Sequence, residues 1–143
     1  MLKGISPVIS PELLKILMEM GHGDELVIGD GNFPGASLAR NLVRLDGHGV
    51  PEVLEAILRL YPLDPYVEAP VALMQVVPGD KVETPIWDTY HALCDKSEGK
   101  AVPFEQVERF AFYERAKKAY CVVMTGETAL YANIILKKGV VVE

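Results

Sequence analysis

The residues best suited to moving protons lie in one stretch, Gly21-His22-Gly23-Asp24-Glu25, followed by Asp30-Gly31-Asn32-Phe33-Pro34-Gly35. An imidazole with an ordinary pKa near 6.5 gives or takes a proton at neutral pH, and a nearby carboxylate can hold its ring or accept from a substrate hydroxyl. One histidine and several acids are therefore expected to meet at one end of one strand. The plainer reading makes His22 a surface-loop histidine and Asp24 and Glu25 solvated acids. Spacing does not support a metal: there is no HxxxH or HxxEH pair, and the Asp30-Gly31-Asn32 start of a calcium-type loop has Asn41 where its twelfth position needs a glutamate. No GxGxxG or GxxxxGK(S/T) phosphate cradle follows a strand, and no serine sits in a GxSxG elbow. His48, in a Gly47-His48-Gly49 turn, and His91, beside Tyr90, read as structural. Phe110, Phe112 and Tyr113 read as packing residues, and Cys121 as an inert buried thiol.

The elements that must position these groups follow from periodicity. Ser10-Pro11-Glu12 has the form of a helix start, with Leu13, Leu14, Leu17, Met18 and Met20 at helical spacing and Gly21 placed to close the helix in a left-handed conformation. Leu26-Val27-Ile28 is a short buried strand ending at Gly29-Asp30. His22 thus falls on the loop before the strand and Asp30 just beyond its carboxyl end. Pro51 to Leu60 predicts a second amphipathic helix and Pro70 to Val77 a buried strand stopped by Pro78-Gly79-Asp80. Thr84-Pro85 starts a helix through Ala92, and the polar segment from Asp95 to Lys100 reads as a mobile loop. A helix over Phe110 to Ala119, a strand over Tyr120 to Thr125 and a strand over Asn133 to Lys137 complete the pattern.

Short, nearly all-apolar strands alternating with amphipathic helices predict one three-layer α/β/α domain over residues 1–143, with a mixed, mostly parallel sheet. In such sheets ligands collect beyond the carboxyl ends of the strands, which singles out Asp30 and its loop. The 143 residues are 50% hydrophobic and 24% charged, with a mean hydropathy of +0.18, as expected for one domain able to bury roughly two-thirds of its unfolded surface. A net charge of −6 and a pI near 5.1 disfavour nucleic acid as a partner. Cys94 and Cys121 form no CxxC pair, and no secretory signal, lipid anchor or membrane-length apolar run is written in the chain. A cytoplasmic protein without a membrane partner is expected.

Four separated runs resemble the L-fucose mutarotase family: Gly21 to Glu25; Asp30 with Phe33-Pro34; Arg109-Phe110-Ala111-Phe112-Tyr113-Glu114-Arg115-Ala116; and Thr125-Gly126-Glu127 leading to Tyr131-Ala132-Asn133-Ile134-Ile135-Leu136-Lys137-Lys138-Gly139. The sister D-ribose pyranase family shares the glycine-histidine and tyrosine-x-asparagine runs but is not expected to share the run from Arg109 to Ala116. The resemblance implies an enzyme that interconverts α and β anomers of a pyranose, and homo-oligomers, commonly decameric rings, with pockets near subunit contacts. It implies His22 as proton donor, Asp30 and Arg109 as sugar-binding residues, and Tyr131, Ala132 and Asn133 as the sugar-binding segment. Gly31 departs from the alanine usual after the aspartate.

Residue chemistry agrees with that implication. Opening a cyclic hemiacetal needs a proton delivered to the ring oxygen and another taken from the anomeric hydroxyl, so no cofactor or metal is called for. A positioned acid or base supplies a factor of roughly 10² to 10⁴. Asp30 can accept from sugar hydroxyls, Arg109 can donate from a fixed fork, Tyr131 offers a hydroxyl and a ring face, and Asn133 can donate and accept. For the group that takes the anomeric proton, Asp30 is the first candidate and Tyr131 the second. D-ribose pyranase activity, or a non-catalytic monosaccharide-binding role, are the alternatives.

Overall fold

The computed structural model describes residues 1–143. The chain runs α1 (Pro11–Glu19), β1 (Glu25–Gly29), α2 (Gly35–Leu38), β2 (Leu42–Leu45), α3 (Val50–Leu58), β3 (Val71–Met74), α4 (Pro85–Glu98), β4 (Phe104–Val107), α5 (Arg109–Lys118), β5 (Cys121–Thr125) and β6 (Ile134–Lys137). The six strands form one sheet in the order β2-β5-β1-β6-β3-β4. β1 and β2 each pair parallel with β5, and β3 pairs parallel with β4, whereas β6 runs antiparallel to both β1 and β3. Five strands therefore point one way and β6 alone is reversed. The carboxyl ends of β1, β3, β4 and β5 and the amino end of β6 share one edge of the sheet.

Strand residues divide alternately between two cores, which explains why the strands lack a polar period. Leu26, Ile28, Leu73, Cys121, Val123, Ile134 and Leu136 pack with α1, α3 and α4, while Val27, Ala72, Met74, Val122, Met124 and Ile135 pack with Phe112 and Ala116 of α5. Helices thus cover both faces, as a three-layer α/β/α arrangement requires. No helix is long and apolar enough to cross a membrane.

Local chemistry sets the boundaries, in places differently from expectation. Ser10 caps α1 by accepting from the Leu13 N–H at 3.2 Å, but the helix ends at Glu19, with Met20 extended. Gly21 does not take the left-handed turn; Gly23 does, at φ 86°. β3 is shorter than the expected strand, stopping at Met74. α4 continues six residues past Ala92 and closes on Gly99 at φ 69°. Its polar tail is tied down rather than mobile: the Ser97 hydroxyl donates to the Leu58 carbonyl, Glu98 accepts from the Leu63 N–H, and Asp95 accepts from the Val102 N–H. Three elements have no counterpart in the sequence reading. They are the single turn α2 and the two edge strands β2 and β4, whose alternating or half-exposed residues carry little apolar signal.

Candidate active site

The carboxyl edge of the sheet gathers three of the protein's four buried polar side chains, Asp30, Thr125 and Asn133. Asp30 follows β1 directly, and Asn133 precedes the reversed β6 beside it. The Asp30 N–H donates to Asn133 Oδ1 at 2.8 Å. The Asp30 carboxylate accepts from the Asn32 N–H at 3.0 Å through Oδ1 and from the Ala132 N–H at 3.3 Å through Oδ2. Each oxygen retains a lone pair, and Asn133 retains its amide donors, for a third party. Burial raises the Asp30 pKa above the ordinary carboxylate value; the backbone N–H groups oppose the rise, and Glu127 adds to it. Asp30 is thus a more basic carboxylate than an exposed one.

The segment that brings Ala132 to Asp30 turns sharply. Tyr131 lies in the left-handed region at φ 54°, the one non-glycine residue to do so, a conformation costing on the order of 1 kcal/mol or more. α4 holds it there. Trp87 Nε1 donates to the Tyr131 carbonyl at 2.8 Å and the Tyr90 hydroxyl to the Ala132 carbonyl at 2.7 Å. The Tyr131 hydroxyl donates to Asp80 at 2.7 Å and accepts from the Val77 N–H at 3.3 Å, fastening the segment after β3 across the edge. The Asp80 carboxylate pushes the Tyr131 phenol upward, with the Val77 N–H opposing, so ionisation of Tyr131 is disfavoured.

A cavity of about 260 Å³ opens over these groups, lined by Asp30, Asn32, Phe33, Met74, Val77, Asp80, Arg109, Tyr113, Leu130, Tyr131 and Asn133. Arg109 begins α5, where Glu108 caps the helix by accepting from the Phe110 and Ala111 N–H groups. Its Nε donates to the Tyr113 hydroxyl at 3.2 Å, and its guanidinium lies over the Phe110 and Tyr113 rings. The fork is thereby steered by stacking while its remaining donors stay free. Phe33, edge-on to Phe112 and Tyr113, joins Met74, Val77 and Leu130 as the apolar wall. The departure at Gly31 tightens the loop: its N–H donates to the Glu127 carbonyl at 2.8 Å, and an added Cβ would lie 3.1 Å from that oxygen.

Asp30, Arg109, Tyr131 and Asn133 share this cavity, and Ala132 lies buried behind it, giving its N–H to Asp30. His22 does not join them. It precedes β1, whose five residues separate it from Asp30 by about 17 Å of strand at roughly 3.3 Å per residue. The expectation that His22, Asp24 and Glu25 meet the Asp30 loop at one strand end is therefore corrected: they occupy opposite edges of the sheet within one chain. At the far edge His22 Nε2 lies 3.1 Å from Asp64 Oδ1, its ring 5.5 Å from that of Tyr66. Sequence reasoning missed Asp80, which read as a strand stop, and Trp87 and Tyr90, whose indole and phenol ends carried no local signal.

Fold and cavity define a one-domain α/β protein presenting a carboxylate, an amide, a guanidinium and a phenol beside an apolar wall, a surface suited to a small polyhydroxylated molecule. The chain belongs to the RbsD / FucU transport protein family, whose model matches residues 3–141. It is 57% identical over 140 residues to the L-fucose mutarotase of Actinobacillus pleuropneumoniae, covering 98% of this chain and 97% of that protein. It is 52% identical over 145 residues to human fucose mutarotase, covering 97% and 94% respectively. The crystal structure of the Streptococcus pneumoniae fucose mutarotase in complex with L-fucose superposes with a TM-score of 0.94 at 54% identity, covering 99% of this chain and all of that one.

Proposed function

We propose that this protein is an isomerase that interconverts the α and β anomers of L-fucopyranose by acid–base ring opening and reclosure. The observation that carries the reading is the buried Asp30 carboxylate, with lone pairs free, in a cavity shared with Arg109, Tyr131 and Asn133, in a chain more than half identical to two fucose mutarotases. Asp30 and Asn133 hold sugar hydroxyls, the Arg109 fork donates to oxygens on the exposed side, and the Phe33, Met74, Val77 and Leu130 wall accommodates the apolar face and methyl group of a 6-deoxy sugar. Asp30, made more basic by burial, takes the anomeric proton. Tyr131, whose ionisation Asp80 opposes, binds rather than abstracts. With the proton delivered to the ring oxygen, the ring opens, the aldehyde turns, and reclosure yields the other anomer.

The acid is His22 of a second copy. The imidazole cannot reach Asp30 of its own chain, but the His22 edge exposes Met18 and Tyr66, and the cavity edge exposes Val77, Phe110 and Leu130. Two different apolar edges of one molecule, brought together, make a heterologous contact, which closes into a ring where the rotation permits. The protein therefore works as a homo-oligomeric ring, a decamer by its resemblance to the family, in the cytoplasm, where its two free buried cysteines stay reduced.

The test is two-dimensional exchange NMR of L-fucose and D-ribose with the parent protein, with His22→Ala, with Asp30→Ala, and with the two variants mixed after dissociation and reassembly. The parent speeds fucose exchange and each variant alone is nearly inactive. Random mixing restores intact sites, about a quarter of the total for equal amounts, because each site draws His22 and Asp30 from different copies. Exchange of ribose but not fucose by the parent would overturn the substrate. No recovery on mixing, where chromatography demonstrates co-assembly, would overturn the shared site.

A further inference from the structure

The Asp30 carboxylate is fixed by backbone N–H donors from within the cavity, but the Tyr131 side chain is fixed from the rim. Its hydroxyl donates to Asp80 Oδ2 at 2.7 Å and accepts from the Val77 N–H at 3.3 Å. Both partners belong to the exposed segment after β3, which closes on itself where the Asp80 N–H donates to the Val77 carbonyl at 3.0 Å. From Val76 to Glu83, the phenol is the one hydrogen-bond partner that the rest of the chain supplies. Trp87 and Tyr90 hold only the backbone of the Tyr131 turn, through the Tyr131 and Ala132 carbonyls. The direction of the phenol O–H is therefore left to Asp80, which lines the same cavity and whose Oδ1 takes no protein donor.

A phenol has one hydrogen and two lone pairs. A carboxylate accepts that hydrogen in preference to a sugar oxygen, because a charge-assisted hydrogen bond is roughly twice as strong as a neutral one. With the hydrogen on Asp80 and one lone pair on the Val77 N–H, a single lone pair remains. We propose that Asp80 is a positioning residue that sets sugar specificity: by taking the phenol hydrogen it presents Tyr131 to the sugar as an acceptor only, so the cavity requires a hydroxyl hydrogen at the position Tyr131 meets. The inference rests on the sugar-binding reading above, in which Asp30 takes the anomeric proton. The hydroxyl at Tyr131 is then one of the other three on L-fucose. Arg109 and the Asn133 amide supply the donors of the same cavity, so sugar oxygens are served without the phenol.

Calorimetric titration of the intact protein with L-fucose and with its 2-, 3- and 4-deoxyfluoro analogues tests this, because fluorine has nearly the size of a hydroxyl but no hydrogen to give. An analogue whose missing hydrogen went to Asp30 or Tyr131 should bind the parent at least about 10-fold more weakly than L-fucose. In Asp80→Ala the phenol hydrogen is free to turn to the sugar. The penalty for one analogue should then shrink by about threefold or more, while the others keep theirs. Tyr131→Phe should relieve the same analogue, which identifies it as the one that Tyr131 meets. Asp80→Asn keeps an oxygen that accepts from the phenol and should retain the parent's pattern. Penalties unchanged in Asp80→Ala, even if all four sugars bind more weakly, overturn the proposal. So does relief at an analogue other than the one Tyr131→Phe relieves, or an Asp80→Asn pattern that matches Asp80→Ala. Failure of the sugar-binding reading looks different: the parent would then give no binding heat with L-fucose itself.

Discussion

The two ends of β1 carry equally buried aspartates, Asp30 and Asp64, each 3% exposed, and the protein treats them in opposite ways. Burial pushes both carboxyls upward. At Asp30 only neutral backbone N–H groups oppose it, Glu127 reinforces it, and the net direction is up. At Asp64 the Tyr66 N–H, the His22 ring and the Lys137 charge outweigh it, and the net direction is down. Equal residue exposure therefore does not set a carboxylate's chemistry; its desolvation, its hydrogen-bond donors and the charges beside it together do. One edge keeps a basic carboxylate open to a cavity, and the other spends its carboxylate on an imidazole.

That contrast is broken most severely by His22→Ala, expected to slow fucose anomer exchange by roughly 10² to 10⁴ while leaving calorimetrically measured fucose affinity nearly unchanged, since the sugar is held at the opposite edge. Asp30→Asn should show the complementary pattern. Its amide must turn an NH₂ toward either the Asn32 or the Ala132 N–H, and the loss of charge-assisted bonds to sugar hydroxyls should weaken affinity by about 10- to 100-fold, together with exchange.

Tyr90→Phe probes the cavity edge alone. Removing the donor to the buried Ala132 carbonyl should cost about 1–3 kcal/mol of stability by denaturant titration and loosen the left-handed Tyr131 segment, weakening fucose binding without moving His22 resonances. The smallest effect is in the pH dependence of unfolding. Asp30, raised in the folded state, contributes stability that is present below its ordinary pKa and lost as pH rises through its folded value. Asp64, lowered, contributes stability that is present above its ordinary pKa and lost as pH falls through its folded value. Relative to the parent, Asp30→Asn should therefore gain stability as pH rises above about 4, and Asp64→Asn should lose less as pH falls below about 4.

Much of the architecture was readable because it is locally encoded. The Ser10-Pro11 start of α1 and the apolar runs of β1, β5 and β6 carry propensity, capping and burial in neighbouring residues. Edge strands β2 and β4 were not readable, since their pairing partners, rather than their own Leu42-Val43-Arg44-Leu45 and Phe104-Glu105-Gln106-Val107 sequences, decide that they are strands. Asp30 was legible as a residue just past a buried parallel strand. Arg109, Tyr131 and Asn133 were legible through motif resemblance, because nothing local joins positions 103 residues apart into one hydrogen bond.

By itself the sequence determined the layer order, the strand ends where a site can form and the residue types able to hold a sugar, because periodicity and capping act over a few residues. Only the tertiary structure decided which of those residues meet. Reversing β6 brings Asn133 to Asp30, α4 holds Tyr131 in its strained turn, and five residues of extended β1 carry His22 to the opposite edge, beside an aspartate 42 positions away. Such meetings depend on the direction and order of strands in the sheet, which no short stretch of chain records.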